Sequence, residues 1–253
     1  MNTRKIILGP RELTLLFTLE KEGSSVFTFT QAQRILETTT PSVKNVLLRL
    51  RRKGRIEEIE KGKYLLVPHL IDPSYIGFWS ALNYYGMTEQ TPRVVFVVTV
   101  KRKRDLEYGP TKFEFVTLSR KKFFGFVEER AAGGKFNISS REKTVVDCLL
   151  YPRYCGGIDE AVKGLWNARR ELDFAKVLEF SKRLGVNVVM RRLGYILELL
   201  RIEKDVSAEI ASGKFRGFMW LDPLGPKKAL EYSAKYGVMI NRTEKELTGW
   251  MGH

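Results

Sequence analysis

The feature that most constrains this chain is a helical apolar stripe followed at once by a basic hairpin. Four apolar residues recur at the spacing of one face of an α-helix: Val43, Val46, Leu47 and Leu50. Pro41 suits the start of this helix, and Gly54 suits a left-handed stop at its end. Residues 55–67 then have the pattern of two short strands joined at residues 60–63. A helix with one polar, basic face therefore precedes a hairpin whose tip carries lysines.

Two earlier helices complete this pattern. Apolar residues at helical spacing predict a helix over residues 10–22 and a shorter one over residues 31–37. Three helices followed by a basic hairpin are typical of a winged helix-turn-helix. The sequence therefore predicts an N-terminal DNA-binding domain of this type at residues 1–70, and a second domain at residues 71–253.

In a winged helix-turn-helix the third helix enters the major groove, where side chains near its N-terminus contact base edges. Asn can pair with adenine and Arg with guanine through two hydrogen bonds. The candidates for base readout are Thr40, Ser42, Lys44, Asn45 and Arg49. Six other basic residues are predicted to contact phosphate: Arg51, Arg52, Lys53, Arg55, Lys61 and Lys63.

Two alternatives remain open for this domain. The same fold can serve protein contacts alone, without binding DNA. Leu48 also points away from the apolar stripe on a helical wheel, so it packs against the hairpin, the second domain or a partner.

Charge supports a polyanionic partner. The 253 residues contain 44 Lys and Arg against 29 Asp and Glu, a formal net charge of +15. The excess is concentrated in residues 44–63 and 101–122. The second basic cluster is Lys101, Arg102, Lys103, Arg104, Arg120, Lys121 and Lys122. Either cluster can also be an ordinary solvated face.

The remaining pattern predicts an α+β domain with a mainly antiparallel sheet and several helices. A helix is predicted over residues 74–85. Strands are predicted over residues 93–101, 112–118, 123–130 and 135–138. Ser139 and Glu142 form a capping-box pattern that predicts a helix over residues 139–150. Further helices are predicted over residues 158–170, 174–184 and 188–202, with closing strands over 215–221 and 238–241.

The chain has few residues for catalysis. His69 and His253 are the only histidines, and neither a phosphate-binding glycine loop nor an acidic residue followed two positions later by Lys occurs. We therefore expect no catalytic residues, no metal site, no cofactor and no enzymatic activity.

Cys148 and Cys155 form no metal-binding motif, and whether they pair is open. Without a signal peptide or an apolar segment long enough to span a bilayer, a cytoplasmic location with no membrane partner is expected.

Three stretches together resemble the AbiEi family. They are Ser80-Ala81-Leu82 with residues 86–90, Arg141 to Leu149 continuing to Tyr151-Pro152 and Gly156-Gly157, and Arg192 to Glu198. AbiEi proteins are antitoxins and transcriptional regulators of viral-defence toxin–antitoxin systems. The resemblance implies a winged-helix repressor of its own operon, with a C-terminal domain that counteracts a nucleotidyltransferase toxin without needing to bind it. From the residues alone, Asp147 or Lys143 would be left for function in the middle stretch.

The expected function is thus a sequence-specific repressor bound to double-stranded operator DNA, with a possible dimer on a symmetric operator. Two alternatives involve the C-terminal domain. In one, this domain is the main site of RNA or DNA binding through the second basic cluster; in the other, it is a protein-interaction module for a toxin.

Overall fold

The computed structural model describes residues 8–22, 24, 26–66, 73–108, 111–131 and 134–252. These residues form an α+β fold with ten α-helices and with antiparallel and mixed sheets. The described residues of 1–72, 106–112 and 128–136 form one compact unit, and those of 73–105, 113–127 and 137–253 form another. The predicted boundary between residues 70 and 71 lies outside the described residues, as do His69 and His253.

The first unit contains three helices and a three-stranded antiparallel sheet. Its elements before residue 73 are α1 (Pro10–Lys21), β1 (Val26–Thr28), α2 (Phe29–Leu36), α3 (Thr40–Arg52), β2 (Ile56–Glu60) and β3 (Lys63–Leu66). The strand order is β1-β3-β2, with Phe27 opposite Tyr64 and Ile56 opposite Leu66. Gly62, with a φ of +76°, makes the turn of the β2–β3 hairpin.

The core of the first unit confirms the apolar stripe of α3. All four predicted stripe residues are buried, together with Leu15, Leu19, Phe27, Ala32 and Ile56. Gly54 has a φ of +64°, and the Arg55 N–H donates to the Leu50 carbonyl at 2.8 Å, so the helix ends in the predicted left-handed stop.

A six-stranded sheet follows. Its strands are β4 (Ser74–Ile76), β5 (Val94–Thr99), β6 (Leu106–Tyr108), β7 (Thr111–Thr117), β8 (Phe126–Ala131) and β9 (Gly134–Ser139), in the order β6-β7-β5-β4-β9-β8. β4 pairs antiparallel with β5 but parallel with β9, so the sheet is mixed. The predicted helix over residues 74–85 is wrong in its first part, because residues 74–76 pair with two strands; helix α4 begins only at Phe78 (Phe78–Tyr84).

Helices α5 to α9 follow the sheet. Their bounds are α5 (Arg141–Leu150), α6 (Ile158–Asn167), α7 (Phe174–Arg183), α8 (Asn187–Leu199) and α9 (Lys204–Ala211). α5 contacts α4, α6, α7 and α8, and its residues from Glu142 to Leu149 are all buried. The predicted capping box of Ser139 and Glu142 is wrong: Ser140 is the N-cap and its hydroxyl accepts from the Lys143 N–H, while Glu142 accepts from the Ser140 hydroxyl at 2.8 Å.

The chain ends in a small mixed sheet and a short helix. The strands are β10 (Met219–Trp220), β11 (Glu231–Ser233) and β12 (Val238–Ile240), in the order β10-β12-β11, followed by α10 (Glu244–Thr248). β12 lies parallel to β10 and antiparallel to β11. Among the described residues, no helix is long and apolar enough to cross a bilayer.

Candidate nucleic-acid interface

The polar face of α3 is exposed opposite its buried stripe. Lys44 and Asn45 are exposed, and within the described part of the chain neither side chain makes a hydrogen bond or an ion pair. Leu48 is 45% exposed on the same helix. An Asn amide and a Lys ammonium are thus available to a ligand, next to an exposed aliphatic side chain.

The other predicted base-reading residues already have partners. The Thr40 hydroxyl accepts a hydrogen bond from Gln33 Nε2 at 3.3 Å, which joins α2 to the start of α3. The Ser42 hydroxyl accepts one from Arg11 Nη1 at 2.7 Å. Arg11 lies in the first turn of α1, so this contact brings a further cation to the N-terminal end of α3.

A buried carboxylate holds Arg49. Glu12 on α1 is only 1% exposed, and its Oε1 lies 3.2 Å from Arg49 Nε, while the Arg49 side chain remains 55% exposed. Glu12 Oε2 accepts hydrogen bonds from Lys53 Nζ and from the Gly9 N–H, both at 2.6 Å. Burial alone would raise the pKa of Glu12, but these two hydrogen bonds and the charges of Lys53 and Arg49 outweigh burial and lower it. Glu12 is therefore an anion that fixes two basic residues of the α3 end.

A groove of about 540 Å³ lies beside this cluster. Its lining residues are Gly9, Pro10, Arg11, Glu12, Arg49 and Lys53. Arg11 and Glu12 were not predicted as site residues, because their contacts join positions 31 to 41 residues apart and leave no local pattern.

The six predicted phosphate contacts differ in their partners and in their exposure. Three are engaged in ion pairs: Arg51 with Glu58 at 2.7 Å, Lys53 with Glu12 at 2.6 Å, and Lys63 with Glu60 at 2.8 Å. Arg52 and Lys61 are exposed and have no hydrogen-bond or ion-pair partner among the residues described. Arg55 is half-buried, and its Nε is a buried donor that no described acceptor meets.

The second basic cluster is drawn together by the pairing of β5 and β7. The Leu118 N–H donates to the Thr99 carbonyl at 2.8 Å, and the Thr117 hydroxyl donates to the Lys101 carbonyl at 3.3 Å. Residues 101–104 therefore lie close to the turn Arg120–Lys122. Six of the seven side chains are exposed, whereas Lys122 is half-buried and donates to the Tyr151 hydroxyl at 2.8 Å.

Lys143 and Asp147 do not reach a surface. Both are fully buried and form an ion pair, and Tyr75 donates its hydroxyl proton to Asp147 Oδ2 at 3.1 Å. Burial raises the pKa of Asp147 despite the neighbouring Lys143 cation. These two residues of the stretch from Arg141 to Leu149 therefore form an ion pair in the core. Cys148 and Cys155 are also buried, and both are free thiols.

No protein-family model matches this chain, and no curated protein matches it. The fold is similar to that of a solved structure, the crystal structure of the RV2827C protein from Mycobacterium tuberculosis. The TM-score is 0.56, and the sequences are 13% identical over 98% of this chain and 96% of that chain. At this level of identity the likeness concerns the fold alone.

Proposed function

We propose that this protein is a sequence-specific regulator that binds double-stranded DNA, and that its first unit is a winged helix-turn-helix. In this proposal α3 lies in the major groove, and the β2–β3 hairpin is the wing that contacts phosphates. The observation that carries the proposal is the exposed face of α3, where Lys44 and Asn45 are open and Arg49 is fixed by the buried Glu12. Pairing at Nε leaves both Nη groups of Arg49 available for guanine.

The test is fluorescence-anisotropy binding of the full chain to its own upstream DNA and to a scrambled duplex of equal length. We expect a preference for the upstream DNA of about 10³-fold or more, which is where specific binding separates from non-specific binding. Asn45→Ala or Arg49→Ala should each cost about 1–3 kcal/mol on the specific duplex and little on the scrambled one.

Arg52→Ala is the matched control, because it removes a charge from the same helix at a predicted phosphate contact. It should weaken binding to both duplexes equally. It should also reduce by about one the slope of the logarithm of the binding constant against the logarithm of the salt concentration. If Asn45→Ala and Arg49→Ala left the specificity ratio unchanged, α3 would not be the recognition helix.

The AbiEi resemblance extends this proposal to an antitoxin-type autorepressor of a viral-defence operon, active against a nucleotidyltransferase toxin with no direct contact required. A promoter fusion tests the role as an autorepressor. The chain should repress its own promoter, and Asn45→Ala with Arg49→Ala should relieve this repression. Co-expression of the chain with a nucleotidyltransferase toxin encoded beside its gene tests the role as an antitoxin. Growth rescue that survives the α3 variants would separate the antitoxin role from repression, and no rescue would contradict it.

A second candidate function is supported by the second basic cluster, since β5–β7 pairing brings its two segments together. In that case the second unit would be the main nucleic-acid contact. Arg120→Ala with Lys121→Ala would then weaken binding to every duplex and RNA more than Arg52→Ala does. A weaker effect than that of Arg52→Ala would rule this candidate out.

A further inference from the structure

The small C-terminal sheet carries an exposed aromatic surface. Its register places Trp220 of β10, Met239 of β12 and Tyr232 of β11 in one row across the three strands. Residues directly opposite one another in a sheet share a face. Tyr232 is 59% exposed, and Trp220 and Met239 are partly exposed. The next row belongs to the opposite face, where Val238 is buried in the core.

A second exposed ring adjoins this row. Phe218, immediately before β10, is 49% exposed, and its ring meets that of Tyr232 edge to face with centroids 5.4 Å apart. Leu230, two residues before Tyr232, is 59% exposed. Exposed aromatic side chains that touch one another form a contiguous patch, which a folded chain rarely leaves open without a binding role.

The chain segments on either side of Phe218 and Trp220 are basic. Lys214, Arg216 and Lys228 are exposed, and within the described residues none of their side chains has a hydrogen-bond or ion-pair partner. Lys227 Nζ lies 5.6 Å from the centre of the Trp220 ring. The nearby acids do not cancel this charge on the patch. Asp222 is buried and paired with Arg242 at 2.7 Å, and strand alternation turns Glu231 away from the Tyr232 face.

The backbone beneath the patch is held by two buried arginines of α8. Arg191 Nη1 donates to the Gly217 and Gly237 carbonyls at 2.9 and 3.2 Å, and its Nη2 donates to the Arg216 carbonyl at 2.8 Å. Arg192 Nη2 donates to the Trp220 carbonyl at 3.2 Å. The segments that carry Phe218 and Trp220 are therefore fixed before any ligand arrives, which reduces the entropy that binding must overcome.

We propose that the aromatic face of β10-β12-β11, with Phe218 and Tyr232 at its centre, binds a single-stranded nucleic acid. Unpaired bases offer faces that stack on aromatic rings, and Lys or Arg around the rings contact the phosphates. In a duplex the base faces are stacked on one another and are closed to such a sheet. Protein interfaces are depleted of Lys, so Lys227 over the Trp220 ring and the basic flanking segments favour nucleic acid over a protein partner. This site is separate from α3 and does not depend on the function proposed for it.

The test is anisotropy of the full chain with labelled 12-nucleotide oligo(dT) and oligo(U), and with the corresponding duplex. We expect Phe218→Ala and Tyr232→Ala each to weaken single-strand binding about fivefold or more, the lower end of the effect of losing one stacking ring. Tyr232→Phe keeps the ring and should retain wild-type affinity. Tighter binding of oligo(U) or of oligo(dT) would identify RNA or DNA as the natural strand.

Three controls separate this surface from other sources of binding. Tyr84→Ala removes an exposed ring outside the patch and should have no effect. Lys214→Ala with Lys228→Ala should weaken binding more than Arg170→Ala with Lys204→Ala, which removes equal charge elsewhere in the second unit. The third control is the choice of readout: the α3 proposal is judged by the ratio of affinities for the upstream and scrambled duplexes, and the present proposal by single-strand affinity, so failure of one stays distinguishable from failure of the other.

Two results would overturn the proposal. One is single-strand binding by Phe218→Ala and Tyr232→Ala within twofold of the wild type, with both variants folded by circular dichroism. The other is a dimer in solution that Tyr232→Ala separates, without single-strand binding, because the patch would then be covered by a second copy of the chain.

Discussion

Replacing Lys143 with Met would leave the Asp147 carboxylate without its paired cation in the core of the second unit. Lys143 is fully buried, and its Nζ contacts the Asp147 carboxylate and the Tyr75 hydroxyl, the latter at 3.2 Å. The same Nζ lies 5.0 Å from the centre of the Phe124 ring. Met has a similar length and keeps the packing, so Lys143→Met removes mainly the charge.

The expected loss in free energy of unfolding is large. Removing one partner of a buried ion pair costs about 3–5 kcal/mol, because the other charge remains buried and unpaired. Total stability of a domain is about 5–15 kcal/mol, so the variant would lose a substantial share of it. At about 2–4 °C per kcal/mol for a chain of this size, the melting temperature in scanning calorimetry should fall by roughly 6–20 °C.

The loss should depend on pH in a defined direction. Burial already raises the pKa of Asp147, and loss of the Lys143 cation raises it further. A carboxyl whose pKa is higher in the folded than in the unfolded state favours folding at low pH, and this advantage is lost as the pH rises through the folded-state pKa. The difference in free energy of unfolding between the wild type and Lys143→Met should therefore become smaller as the pH is lowered.

A matched double variant tests the same reasoning. Lys143→Met with Asp147→Asn removes both charges and keeps an acceptor for the Tyr75 hydroxyl, so it should recover most of the lost stability. Equal losses in the single and double variants, independent of pH, would refute the argument from an unpaired charge and would point to packing.

Other predictions concern the helices. Glu12→Gln should lower stability by about 1–3 kcal/mol, because Arg49 and Lys53 lose a buried anion. Because the pKa of Glu12 is lowered in the folded state, the extra stability of the wild type over this variant is present at neutral pH and is lost as the pH falls through that pKa. Urea denaturation at several pH values measures this difference. Gly194→Ala should destabilise by about 1–3 kcal/mol despite the usual helix gain of about 1 kcal/mol, because the new Cβ would lie 2.6 Å from the Tyr236 ring; a rise in melting temperature would contradict this. Thr28→Ala should cost about 1 kcal/mol by removing the capping box of α2, with the serine variant as a neutral control.

Local sequence patterns were sufficient to predict several helices and strands. The stripe and stop signal of α3 predicted its buried residues and its end, because helical contacts join residues three or four apart. Strand β5 and helices α5 to α8 were also predicted within a few residues of their observed bounds. Strand β4 was predicted as helix because its pairing depends on distant residues: Ile76 lies opposite Val97 on β5 and Ile138 on β9.

The sequence by itself determined which side chains α3 exposes and that the chain is strongly basic. It did not determine which of those side chains have partners. Glu12 meets Arg49 only because α1 packs on α3, and Trp220 shares a row with Tyr232 only through the register of β12. Helical periodicity is set by neighbouring residues, whereas ion pairs between helices and rows across a sheet depend on how distant segments pack, and only the tertiary structure decides this.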